Sequence, residues 1–483
     1  MRILTNAFWL SLCRVCAELT SFLLFAAISR SFGPAVTGEY SYAFALASFF
    51  AFLSASGIDE YGIRRLAQSA PNERSSLWSD IVSVQAAQLA LSVAVFALFL
   101  LVTGGGHARI VVILELSALL LGQYLAHTFF IPAMAAQQMF APAITELACR
   151  FAAIALAFLL AVTLHLGLPL LLIGFPLGGA VLATVAARNA SRHGLALRLR
   201  FDAQRLRQTF RATVPFTGAE LLSQFYARTD LVLIAYLLGN SRLGFYSTDV
   251  KFVEFGILPL FLLGTAAYPS LSRAAALDTR MFAASAQEFV RLVLFLGGWL
   301  AVGLVCLVAQ LIVPIFGAAF RPAVDVLPWF ALLALMKAGE AALYRLMYAT
   351  RRPTSYVLAI LAGTAVTIAL NLTLIPRLGL VGAVIAAIAS VGIVSGCCAV
   401  SLRRLVAIPL LLNAAVRMLS ALLVTAAIVY GARRLGAGGW VIAALGCGLY
   451  PLFGWLAGLL PHPGRSRLLR PGGPEADFAS RTT

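Results

Sequence analysis

The segment Phe32-Gly33-Pro34-Ala35-Val36-Thr37-Gly38-Glu39-Tyr40-Ser41 returns 206 residues later as Leu238-Gly239-Asn240-Ser241-Arg242-Leu243-Gly244-Phe245-Tyr246-Ser247. Both glycines, the tyrosine and the serine stay in register. Each copy lies between two long apolar runs, so the repeat unit is a bundle of membrane helices and the chain has been built twice. Many transporters are made by such duplication.

Of 483 residues, 61% are hydrophobic and 11% charged, which no soluble domain of this size hides behind so thin a polar shell. A strand-built barrel is excluded because runs such as 89–102 and 421–430 show no alternation. A helix needs about 20 apolar residues to cross the hydrocarbon core. Apolar runs between charged or Gly/Pro-rich breaks predict about fourteen such spans, the first at 7–30, the second at 40–62 and the last at 439–460. The expected fold is an all-α polytopic membrane protein with two parallel six-helix repeats around a central cavity and two extra C-terminal helices. The predicted organisation is an N-lobe over 1–200, a basic cytoplasmic linker over 201–213, a C-lobe over 214–405, accessory spans over 406–460 and a disordered tail over 461–483. The linker is expected as an interfacial helix or a tether. The first run carries Arg14 and Glu18 and belongs to the repeat, so it reads as a retained span rather than a signal peptide.

An even number of spans puts both termini on one side. Of the 36 basic residues, 21 fall on one alternating set of connections with the two tails, 7 on the other set and 8 inside spans. The basic side is expected to be cytoplasmic, in a bacterial inner membrane. Arg433 and Arg434 run against the trend. The net charge of +17 is spread over short loops without aromatic interleaving, which excludes a nucleic-acid partner and fits anionic membrane lipids. The seven cysteines read as buried free thiols, since Cys13 and Cys16 form the one CxxC-type spacing and nothing completes a metal site. No loop is long enough for a catalytic domain, so the chain is not expected to be an enzyme.

Ionisable side chains at span depth cost at least about 2.5–3.5 kcal/mol each, so each demands a reason. Arg14 and Glu18 stand at i, i+4 on the first span, and Glu146 and Arg150 do so on the fifth. The seventh carries Glu220, Gln224, Arg228 and Asp230; the eighth Asp249, Lys251 and Glu254; the tenth Lys337, Glu340 and Arg345. A shift of 206 sets Arg14 on Glu220 and Glu18 on Gln224. These stripes are expected to face each other across a water-filled cavity. Its substrate-binding candidates are Arg14, Glu18, Arg150, Glu220, Gln224, Arg228, Lys251 and Lys337, with basic groups receiving a diphosphate. Glu146, Asp230, Glu254 and Glu340 are the candidates for coupling a proton or sodium ion; no other cofactor and no metal is expected. His127 and His165 read first as satisfied helix or loop histidines, and second as proton carriers. The glycines at the repeated turns read as helix stops.

Phe32-Gly33-Pro34 with Gly38-Glu39-Tyr40, then Gly57-Ile58-Asp59-Glu60-Tyr61-Gly62-Ile63-Arg64-Arg65, resembles the opening of polysaccharide-biosynthesis flippases. Thr229-Asp230, Gly244-Phe245-Tyr246-Ser247 and Tyr268-Pro269-Ser270-Leu271-Ser272-Arg273 are similar in the same way. So is Asn371-Leu372-Thr373-Leu374-Ile375-Pro376-Arg377-Leu378-Gly379-Leu380-Val381-Gly382-Ala383. Over residues 1 to about 405 the chain resembles the O-antigen (Wzx-type) branch of the multidrug/oligosaccharidyl-lipid/polysaccharide (MOP) superfamily. The resemblance implies alternating access and an undecaprenyl-diphosphate-linked oligosaccharide as substrate. It also implies a cationic cavity, onto which Arg14 and Lys251 map, and a polysaccharide polymerase as a candidate partner. The last two spans resemble those that form a prenyl-tail groove in lipid II flippases. The rival readings are a MATE-like cation-coupled exporter, which also needs buried acids, and a polysaccharide polymerase or ligase, which needs catalytic groups on an outer loop.

Overall fold

The computed structural model describes residues 2–54, 57–103, 107–164, 167–195, 199, 202–406 and 408–460. His165 and the tail expected to be disordered lie outside the described residues. Among the described residues every regular element is helical. The chain divides into two compact units, Met1–Gly244 and Phe245–Thr483.

The first unit begins with α1 (Arg2–Leu53), broken at Gly33, whose φ of 78° suits glycine. Thr37 Oγ1 donates to Ser29 Oγ at 3.1 Å, and the rings of Phe25 and Tyr40 lie 6.4 Å apart. Eight residues of straight helix would span about 12 Å, so the chain reverses at Gly33. Two of the expected spans therefore run through α1. The second starts at Pro34 rather than residue 40, because a proline beside a left-handed glycine starts a helix. It stops at Leu53, short of the expected residue 62. The chain turns at Gly57 (φ 73°) and restarts as α2 (Ile58–Gln68), an amphipathic segment. Its Ile58 and Leu66 are buried beside Trp78, Ile81 and Ile131.

Next come α3 (Pro71–Thr103), α4 (His107–Ala135), α5 (Phe140–Leu164), α6 (Leu168–Leu171), α7 (Gly174–Arg192) and α8 (Ala203–Leu238). Gly122 of α4 and Gly179 of α7 face each other so closely that a Cβ on Gly122 would lie 2.6 Å from the Gly179 backbone. Small residues let membrane helices approach in this way. Gln85 of α3 donates to the Ser54 carbonyl at 2.7 Å and accepts from Thr128 of α4 at 3.1 Å, pinning the end of α1. From Ala203 the linker is helical and runs without a break into the seventh expected span as part of α8. By the repeat α8 opens the second copy, yet it packs on α1 and α3 in the first unit.

The repeated turns meet there. A Cβ on Gly38 would overlap the carbonyl oxygen of Asn240, and one on Gly244 would overlap that of Pro34. The repeat shift exchanges these two contacts. Gly33 and Gly239, with φ of 78° and 85°, are the helix stops expected. Gly38 and Gly244 instead sit within helices and serve close approach.

The second unit continues α9 (Asn240–Leu277) and holds α10 (Thr279–Gly303), α11 (Ala309–Phe316), α12 (Arg321–Val324), α13 (Leu327–Ala349), α14 (Pro353–Leu378), α15 (Leu380–Leu402), α16 (Ile408–Arg434) and α17 (Gly439–Leu456). Asp278 caps α10 by accepting from Met281 N at 3.3 Å. A π-helical turn, Leu304–Val308, joins α10 to α11. The extra C-terminal helices pack on α10. Trp299 Nε1 donates to the Cys447 carbonyl at 3.1 Å, and Phe295 stacks on Tyr450 at 5.7 Å.

Among the described residues twelve helices are long and apolar enough to cross a membrane, and the α12–α13 pair, bent by 57°, makes a thirteenth. Since α1 reverses at Gly33, these helices accommodate the fourteen expected spans. In a denaturation titration in detergent, Gly38→Ala and Gly244→Ala should each lower stability by about 1–3 kcal/mol through overpacking. A midpoint equal to that of the unaltered chain in both would refute the close crossing.

Candidate functional site

Polar side chains of the first unit converge from four of its long helices and from α2. His127 of α4 lies between two carboxylates: Nε2 is 3.3 Å from Glu146 Oε2 on α5, and Nδ1 is 3.7 Å from Asp59 Oδ2 on α2. The side chains of His127, Asp59 and Glu146 are 38%, 30% and 33% exposed, so the cluster is only partly enclosed by protein. Arg150 and Arg14 both act electrostatically on Glu146. Arg150 and Arg228 likewise both act on Tyr40, and the Arg228 guanidinium lies 5.0 Å from the Phe44 ring centre.

Local structure explains the convergence. Gly57 ends the second span early and lets α2 present Asp59 toward α4. A Cβ on Gly62 would lie 2.8 Å from Ile131 Cδ1, so the glycine seats α2 on α4 near His127. Glu146 and Arg150 share a face of α5 one turn apart.

The structure thus brings together Arg14, Arg150, Arg228 and Glu146 from the expected set. Glu18 and Gln224 are half-buried on α1 and α8. Asp230 accepts from the Leu231 amide at 2.8 Å. The Glu220 side chain lies outside the described residues. His127, read first as a satisfied helix histidine, has carboxylate neighbours at both ring nitrogens. Asp59 carried no expected role beyond the motif Gly57–Arg65; its signal was an acid directly after a left-handed glycine at the edge of an apolar run.

In the second unit Lys251 pairs with Glu254 at 2.8 Å on α9, with side chains 22% and 39% exposed. Both expected roles, cation for substrate and acid for coupling, are therefore engaged with each other. Glu340 is buried, and Lys337 is half-buried one turn before it on α13. Arg345 donates to Thr265 at 3.0 Å and lies over the Phe261 ring at 4.8 Å. Asp249 is fully buried, and neither carboxylate oxygen has a hydrogen-bond partner among the described residues. The repeat shift maps it onto Ala43, which is equally buried. Asn371 is likewise fully buried, its amide without a hydrogen-bond partner among the described residues. The seven cysteines are free thiols, but only Cys13, Cys306 and Cys398 are buried as expected, and Cys397 is exposed; among the described residues no His/Cys/Asp/Glu group is arranged for a metal.

The model of the family described as polysaccharide biosynthesis protein matches residues 3–275. No curated protein matches the chain. Among solved structures, the lipid II flippase MurJ in an inward closed conformation superposes with a TM-score of 0.74 at 14% identity, covering 92% of this chain and 98% of that one. An inward-facing multidrug resistance MATE family transporter of the MOP superfamily gives 0.59 at 11% identity, covering 80% and 95%. The Vibrio cholerae MATE transporter VcmN in its bent form gives 0.53 at 13%, covering 83% and 97%. At such identities the likeness is one of fold, and the fold is that of MOP transporters.

Two measurements check the site. Arg14→Cys, His127→Cys and Glu146→Cys should react with a hydrophilic thiol reagent faster than Leu98→Cys and Leu423→Cys, whose side chains are 61% and 70% exposed on apolar faces; equal rates would refute a wet cluster. Asp249→Ala, which restores the residue of the first copy, should raise stability by about 1–3 kcal/mol by removing unpaired buried oxygens. A lowered denaturation midpoint would show that the carboxyl is supported.

Proposed function

The chain belongs to the polysaccharide biosynthesis protein family, and from that premise we propose that it is a flippase for undecaprenyl-diphosphate-linked oligosaccharide. It works by alternating access in the bacterial cytoplasmic membrane, with both termini cytoplasmic, and serves O-antigen, capsule or exopolysaccharide assembly. A polysaccharide polymerase then receives the transferred carrier. The chain acts by binding and reorienting its cargo, not by making or breaking bonds.

The observation that carries the reading is the gathering of Arg14, Arg150 and Arg228, from three helices of one unit, around Glu146 and Tyr40. Three guanidiniums gathered in one unit of a membrane protein favour an anionic cargo over a cationic one. A diphosphate satisfies them through charge-assisted, bidentate hydrogen bonds. The same set repels an organic cation, which disfavours the exporter reading. Tyr40 sits beside two of the guanidiniums, where its hydroxyl suits a phosphate oxygen.

Transfer between leaflets of proteoliposomes tests the proposal directly, with a prenyl-diphosphate oligosaccharide as cargo. Arg14→Ala and Arg150→Ala should each slow transfer by about 10- to 100-fold, the loss of one or two charged hydrogen bonds. Lys251→Ala should have a smaller effect, because Lys251 is already paired with Glu254. Unchanged transfer in both arginine variants would overturn the head-group role.

A further inference from the structure

The first unit holds one carboxylate that three cations share. Glu146 lies 3.3 Å from His127 Nε2, and the guanidiniums of Arg150, one turn along α5, and Arg14, on α1, act on it as well. The other ring nitrogen of His127 faces Asp59 at 3.7 Å. A neutral imidazole carries a single N–H, so a ring with a carboxylate at each nitrogen can offer a donor to both only when doubly protonated. At 3.3 Å the Glu146 contact is a hydrogen bond that a neutral ring also makes, while Asp59 at 3.7 Å adds an ionic attraction once the second nitrogen is protonated.

Every element packed on α4 brings charge or leaves it out. From α2 come Asp59 and the exposed Arg64 and Arg65; from α5 come Glu146 and Arg150; from α1 come Arg14, Glu18, Arg30 and Glu39; and α3 carries the exposed Glu73 and Arg74 at its start. The buried Asp80 comes from α3 and the exposed Arg188 and Arg192 from α7, while α6 carries no charge. Of these groups, Asp59 and Glu146 are the two that act on the ring. Glu115 sits three turns away on α4 itself.

We propose that His127 binds a proton that decides what Glu146 neutralises, so that a proton and a diphosphate bind the first unit cooperatively. With the proton on the ring, the imidazolium engages Glu146 and Asp59, and the field of Arg14 and Arg150 acts on the incoming diphosphate. When the proton passes to water, the ring keeps one N–H. Glu146 is then drawn to Arg150 and Arg14, and its charge competes with the anion for them. Linkage is reciprocal: a proton that strengthens diphosphate binding is itself held more firmly by the complex. This deepens the function proposed above and rests on that reading only for the identity of the anion. The expected arrangement gave cargo and coupling ion separate residues; here both act through one carboxylate.

Equilibrium binding of farnesyl diphosphate, a sugar-free prenyl diphosphate, to the full chain in nanodiscs tests the linkage. Affinity should fall at least about tenfold as the pH rises from about 7 to about 11. His127→Gln should show only the pH response of the ligand's own ionisation, which all the proteins share. Glu146→Gln should bind at the higher pH as tightly as the unaltered chain does at the lower one. The same pH response in all three proteins overturns the inference, and so does an absence of binding at both pH values. Should a variant fail to fold, calorimetry of the unaltered chain in buffers of different ionisation enthalpy still decides. At a pH where the ligand is fully ionised and the ring is part-titrated, uptake of about half a proton or more per ligand is expected, and no uptake refutes the linkage. Proton-linked binding without transfer of a lipid-linked oligosaccharide would refute the proposed function and leave this inference standing.

Discussion

The architecture of the first unit depends on a crossing of two turns where no side chain fits. Gly38 rests against the Asn240 carbonyl and Gly244 against that of Pro34, so α1 and the start of α9 meet backbone to backbone. Lipid tails are as apolar as the side chains, and helices in a membrane gain little by hiding from them; what remains is close packing of backbones. The crossing fixes the far end of α8, which runs from the linker to Leu238 and reaches the turn through Gly239. Through α8 it places Arg228 over Phe44. A turn motif that identifies the family thus also helps to position a cation.

The two units treat buried charge differently. In the first, acids and bases from separate helices meet and stay partly exposed. In the second, Lys251 and Glu254 close on each other within one helix, while Asp249 and Asn371 lie dry and without hydrogen bonds among the described residues. A fully buried carboxyl without a partner is a costly residue to keep in an apolar core. Its counterpart Ala43 shows that the fold does not require an acid at that height.

Much of the fold was legible because membrane helices are written in long apolar runs, and turns in glycine and proline. The duplication, the helical class and the pairing of Lys251 with the acid three residues on all follow from local spacing. The boundaries of the second span did not, since the run of apolar residues passes through Gly33–Pro34 on one side and past Gly57 on the other. The candidate site was legible in part: Glu146 and Arg150 stand one turn apart and announce themselves. His127 and Asp59 meet across 68 positions of sequence, and His127 and Glu146 across 19. No periodicity records such contacts, because they arise from the seating of α2 on α4 through Ile58, Gly62 and Ile131. The inclusion of α8 in the first unit was equally hidden, for the repeat assigns it to the second copy.

The π-helical turn at Leu304–Val308 has its own effect on the second unit. Such a bulge slips one extra residue into the winding, which advances everything after it by about 100° about the axis. Beyond the bulge Ile312 and Phe316 are buried, and Phe316 meets Phe252 and Phe320. The wide turn therefore acts as a phase adjuster, letting one continuous rod show different faces to its neighbours above and below.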